Sequence, residues 1–265
     1  MSRIVPPRRL FLYGLGLTPL LSLPYWSLYH DITFPFSDFF MLPVWTIHFF
    51  AVFPHEAGHL LLFWLFGHPA VPALDILYGG GWVRPEPQQP WFLGLVYVGF
   101  ALLGLWLHAK KKKRLLMILC ALVPVHFALA FNIGHNILDL YMGAGSELLA
   151  ATFFAYACLF RGTRDETPRA AKGDAALRAC GISAGLYLIF KNMFQMAEVM
   201  FGKQLRFTYS PATGRYITDD IQKVAQYSGL SVSAAAGVVF VAAACCVAFL
   251  AWAAMMSRRS RLLKE

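Results

Sequence analysis

Residues 44–66 read VWTIHFFAVFPHEAGHLLLFWLF, an apolar run broken near its middle by His55-Glu56-Ala57-Gly58-His59. A stretch of about 20 apolar residues is the length of helix that crosses a bilayer. On such a helix two histidines four residues apart lie about 40° from each other, one turn up, so both imidazoles can reach one Zn²⁺. The glutamate between them is then placed to act as general base, which is the active-site pattern of a metalloprotease. A carboxylate and two imidazoles at this depth are costly unless a metal, a partner or a water-filled cavity compensates them, so the motif reads as functional.

The rest of the chain agrees with a membrane setting. Of 265 residues 58% are hydrophobic and 14% charged, which is far from the composition of a soluble globular domain. Candidate spans fall at 10–29, 44–66, 91–109, 114–131, 144–160, 176–200 and 232–256, giving an all-α, multi-pass integral membrane protein of six to seven transmembrane helices. The first span carries Pro19 and Pro24 and lacks a small-residue cleavage signature, so it reads as retained rather than as a signal peptide. Residues 1–265 form a single integral membrane domain, with no large soluble part. Cys120, Cys158, Cys180, Cys245 and Cys246 all fall in spans, without C-x-x-C spacing, and read as small core residues.

A formal net charge of +9 suggests nucleic acid in a soluble protein. Here the excess sits in short clusters at span ends: Arg3, Arg8 and Arg9; Lys110 to Arg114; Arg161, Arg164, Arg169 and Lys172; Arg258, Arg259, Arg261 and Lys264. Those are basic flanks facing lipid headgroups, and no nucleic-acid partner is expected. They create a conflict, because strict alternation through seven spans from a cytoplasmic N-terminus puts the last three clusters outside, against the positive-inside bias. Either an extra crossing or re-entrant piece lies in 30–43 or 67–90, or the N-terminal end of the first span is outside.

After the motif span, residues 67–85 have no helical period, and Leu74–Tyr78 runs into three glycines, so a short extended or re-entrant segment is expected there. Such an edge beside a protease site can pair with an unwound substrate backbone. Residues 201–231 are the longest polar stretch, with Thr218-Asp219-Asp220 as an N-cap for a short helix through Tyr227 and Gly229 as its stop.

A catalytic zinc takes three protein ligands and keeps one position open. Asn132, His135 and Asp139 occur at i, i+3 and i+7 and share a helix face at the end of the fourth span. Asp139 is the expected third donor, with His135 as the alternative. Asn132 and His135 otherwise contact substrate or orient the ligands. His48 stands on the face of His55 two turns earlier and reads as a satisfied helix histidine.

His55-Glu56-Ala57-Gly58-His59 together with Leu138-Asp139 resembles the site-2 proteases, zinc enzymes that cut substrates within the membrane. Leu140 stands where that family has glycine, and no PDZ-like domain is visible. The resemblance covers residues 44–141, the expected metalloprotease core; 176–256 are additional helices. It implies one zinc per chain on His55, His59 and Asp139, with Glu56 as the catalytic base, and a membrane protein with a transmembrane segment as substrate. Two other readings stay open: a catalytically inactive protease-like scaffold or regulator, and a membrane metal or proton transporter whose histidines line its path.

Overall fold

The computed structural model of the chain describes residues 5–30, 37–75, 80–160, 168–201, 209–210, 215–216 and 219–256. Arg3, Arg161, Arg164, Thr218 and the C-terminal basic cluster lie outside them, as do the side chains of Arg169 and Lys172. Eight helices appear in the described chain: α1 (Pro7–His30), α2 (Ser37–Leu65), α3 (Pro90–Ala109), α4 (Lys113–Ala130), α5 (Gly134–Phe160), α6 (Pro168–Phe201), α7 (Asp219–Ser228) and α8 (Val232–Met256). Five of these, α3, α4, α5, α6 and α8, are long and apolar enough to cross a membrane. The chain is therefore a predominantly helical membrane protein.

The motif helix α2 runs unbroken through Pro43 and Pro54. It stops in a Schellman turn. Gly67 takes a left-handed φ of 83°, its N–H donates to Trp64 O at 3.1 Å, and the His68 N–H donates to Phe63 O at 2.8 Å. The remaining end carbonyls are also covered, Leu65 O by the His126 ring at 3.0 Å and Phe66 O by the Gln88 amide at 2.8 Å. The expected extended segment follows as a hairpin, β1 (Ala70–Asp75) against β2 (Gly80–Pro85), antiparallel with Ala70 opposite Pro85 and Asp75 opposite Gly80. Among the described residues, 37–43 belong to α2 and 70–75 with 80–85 to this hairpin, so no additional helix appears in 30–43 or 67–89.

The start of α5 corrects the expected span boundaries. The fourth helix ends at Ala130, and the fifth begins at Gly134 rather than 144, so Asp139 stands near the start of α5 and not at the end of α4. Asn132 makes the turn: its amide donates to Ala128 O at 2.8 Å and its carbonyl oxygen accepts from the Gly134 N–H at 2.6 Å. The polar residues of 132–139 lower the local hydropathy and so hide a helix that is continuous through them.

The main core joins α1, α5, α6, α7 and α8 through Leu10, Ala155, Leu159, Ile182, Leu186, Val224, Ala235, Ala243 and Leu250, all fully buried. Small residues let backbones approach, as at membrane helix contacts: a Cβ on Gly185 would lie 2.7 Å from Ala151 O, and one on Gly14 would overlap Ile182. Arg178 of α6 caps the end of α5, donating to Cys158 O at 2.8 Å and Leu159 O at 2.7 Å. The α3–α4 pair stands at the side of this bundle, with most of its apolar surface outward. All five cysteines are free, and Cys120, Cys180 and Cys245 face outward rather than into the core.

Candidate metal centre

α2 and α5 run antiparallel in contact, and the contact is possible because of two glycines. Gly58 of α2 lies against Ser146 and against Met142 O, where a Cβ would stand 2.6 Å from the carbonyl oxygen. Gly143 of α5 faces the motif directly. A Cβ there would overlap His59 Nε2 and stand 2.6 Å from His55 Nε2. Both Nε2 atoms therefore aim at one point above the Gly143 backbone, with ring centroids 5.1 Å apart.

The other ring nitrogens meet carboxylates from the same helix. Asp139, Gly143 and Glu147 are spaced i, i+4, i+8 and form one stripe of α5. Asp139 Oδ1 lies 3.3 Å from His59 Nδ1, close enough to hold the ring although off the direction of a full hydrogen bond. Glu147 Oε2 lies 3.7 Å from His55 Nδ1, an ion-pair distance. Glu147 is in turn joined through Oε1 to Lys191 Nζ of α6 at 3.3 Å, and that ammonium reaches His48 Nδ1 at 3.4 Å. His48 is thus partnered.

On the open side of the rings stands α7. Its apolar residues Ile221, Val224 and Ala225 are buried in the main core, and this docking carries Asp220 to His59, with Oδ2 3.8 Å from Nε2. Ligand atoms of His55, His59 and Asp220 all lie within 4.8 Å of one another, the one such group among the described residues. Ligands around one tetrahedral zinc stand about 3.3–3.5 Å apart, so small side-chain movements close the set. Two imidazole nitrogens and a carboxylate over a glycine cradle fit a catalytic zinc.

Glu56 is buried, and strand β2 crosses it: a Cβ on Gly81 would lie 2.6 Å from Glu56 Cγ and 3.1 Å from Oε1. The glycine run thus allows the extended backbone to touch the motif carboxylate.

The structure brings His55, Glu56, His59 and Asp139 together and leaves the other two sequence candidates apart. His135 stacks on His68 at 5.3 Å, with Nδ1 2.6 Å from Asn132 O. Asn132 is exposed and engaged in the α4–α5 turn. Sequence reading missed Glu147, Lys191, Gly143 and Asp220 as site residues. Glu147 and Lys191 carried a usable signal, since ionisable residues inside spans are functional by default. Asp220, which sequence reading took only for part of a helix cap, carried none as a ligand. No family model, no curated protein and no solved structure matches the chain.

Proposed function

We propose that this protein is a zinc-dependent endopeptidase embedded in the membrane, resembling site-2 proteases and cutting membrane-spanning segments of other proteins. The convergence of both Nε2 atoms on one point over Gly143 supports it most. Two motif histidines facing different ways, or filled in by a side chain from α5, would have removed the metal from consideration.

In this reading His55 and His59 bind zinc through Nε2, and Asp220 completes the set, since its carboxylate is on the Nε2 side of His59. Asp139 holds the opposite nitrogen and orients the ring, in the manner of carboxylate–histidine–zinc arrangements. Bound zinc supplies Lewis-acid activation of water and polarises the scissile carbonyl. Glu56 takes the proton from the attacking water and hands it to the leaving amine. Enclosure of Glu56 by Gly81 keeps that carboxylate in a water-poor site beside an extended backbone, and an outer edge of the hairpin can pair with an unwound substrate segment. α1 and α2, at 24 and 29 residues, complete seven spans, with α7 at the interface.

Full-length protein reconstituted with a panel of single-span membrane peptides tests this. Wild type holds about one zinc and cleaves; Glu56→Gln keeps the zinc and does not cleave, because an amide cannot accept the proton. Cleavage by Glu56→Gln at the wild-type rate would rule out the mechanism. The transporter reading draws on one observation, the buried Glu147–Lys191–His48 chain beside the rings. Zinc or proton flux into vesicles without any peptide cleavage would favour it.

A further inference from the structure

The pair formed by Glu147 and Lys191 lies outside the reaction just described, yet both groups are buried in an apolar bundle. A carboxylate or an ammonium left alone in such a place carries a large desolvation penalty, so each needs the other. The pairing is divided by atom. Oε1 of Glu147 faces Lys191 Nζ at 3.3 Å, and Oε2 faces His55 Nδ1 at 3.7 Å. One oxygen therefore answers the counter-charge while the second remains for the imidazole.

We infer that Glu147, anchored by Lys191, is the positioning residue of His55: it holds the proton on Nδ1 and leaves the Nε2 lone pair for the metal. The physical reason is the two-nitrogen chemistry of imidazole. Whichever nitrogen donates to a carboxylate, the other becomes the acceptor, and the ring is fixed in rotation as well as in tautomer. Closing the present separation to a hydrogen bond needs a shift of about 0.7 Å. Asp139 does the same for His59 one helical turn pair away, so α5 orients both ligands from one stripe. Lys191 cannot itself bind the metal, being engaged by Glu147 and by His48 Nδ1. Without it, Glu147 would lose the contact that fixes its carboxylate beside His55.

This inference rests on the zinc reading of His55 and His59. Its test measures Zn²⁺ and Co²⁺ affinity by chelator competition, with the visible spectrum of bound Co²⁺ and the thermal midpoint, on full-length protein in detergent. Glu147→Gln is expected to weaken metal binding roughly 10–100-fold and to alter the Co²⁺ spectrum. Lys191→Met should lower both affinity and thermal midpoint, because it strands a buried carboxylate. The double variant Glu147→Gln/Lys191→Met removes both charges and should regain the thermal midpoint while affinity stays low. Recovery of affinity together with stability would make the pair merely structural and overturn the inference. So would unchanged affinity in Glu147→Gln when His55→Ala loses the metal. If His55→Ala also keeps the metal, the zinc reading itself falls, and this inference with it.

Discussion

At the level of single residues the proposed zinc site gives two aspartates two different tasks on one ring. Asp220 stands on the Nε2 side of His59 and Asp139 on the Nδ1 side, at 3.8 and 3.3 Å. A ligand and a ring-orienting group differ in what their loss costs: removing a ligand takes away a metal bond, whereas removing an orienting carboxylate typically costs 10–100-fold in affinity. Asp220→Asn should therefore lose most of the zinc after dialysis, and Asp139→Asn should retain a weakened site that refills at higher free zinc. The reverse order would return the third ligand to Asp139, where the resemblance to site-2 proteases puts it. The motif histidines were legible in sequence because their chemistry is local, two imidazoles one turn apart. The nearness of Asp220 was not, because 161 positions separate it from His59 and the docking of α7 brings them together.

At the level of elements, α5 carries the site as a stripe of Asp139, Gly143 and Glu147 against α2. Glycine in a helix interior costs about 1 kcal/mol relative to alanine, so Gly143→Ala should by propensity strengthen α5. The new methyl, however, occupies the point at which both Nε2 atoms aim. The expected result is a folded protein that no longer binds zinc, with its apo thermal midpoint lowered because both rings must shift to admit the methyl. Zinc affinity equal to wild type would show that the metal does not sit above this glycine. The stripe escaped sequence reading for a hydropathic reason. Asn132, His135, Asn136 and Asp139 depress the apolar average, so the span was drawn from 144 and Asp139 was assigned to the preceding helix. The periodicity of 139, 143 and 147 emerges only once α5 is seen to start at Gly134.

For the whole molecule, the basic clusters and the proposed seven spans together predict an orientation. If the seven helices proposed as spans all cross and no further piece does, the positive-inside bias is met when Lys110–Arg114, the basic residues at 161–172 and the C-terminal arginines are cytoplasmic. The start of α1 would then face the opposite side despite Arg8 and Arg9. The β1–β2 hairpin, the α4–α5 turn and α7 then share the non-cytoplasmic face, which is also the face on which Asp220 closes over the rings. Single cysteines placed on a background lacking the native five check this. A cysteine at Lys111 should label with an impermeant maleimide only after permeabilisation, and one at Glu86 should label in intact cells; the opposite pattern inverts the topology. Hydropathy alone marked the long apolar helices, but it placed the start of α5 ten residues late.

In the proposed site the same global arrangement couples zinc affinity to the docking of α7, which brings Asp220 to the rings. α7 is held by Ile221, Val224 and Ala225 in the core shared with α5 and α8, and Asp220 reaches the rings only while that face is docked. Truncating Ile221 to alanine removes buried contacts worth about 2–5 kcal/mol in a well-packed core. That loss should fall mostly on the docking of α7, since a ten-residue helix has little stability of its own. When only a fraction of molecules is docked, apparent affinity falls in proportion to that fraction, so Ile221→Ala should bind zinc more weakly while keeping every ligand. Saturating zinc should then restore much of the lost stability, because binding to the docked form alone contributes about 2.7 kcal/mol at 100 times the dissociation constant. Leu250→Ala supplies the comparison: it empties the same core near the far end of α8, about 27 Å along the helix from Val232. It should lower the thermal midpoint without changing zinc affinity. Equal loss of affinity in both variants would mean that zinc binding follows general stability, and α7 would then have no special part in completing the site.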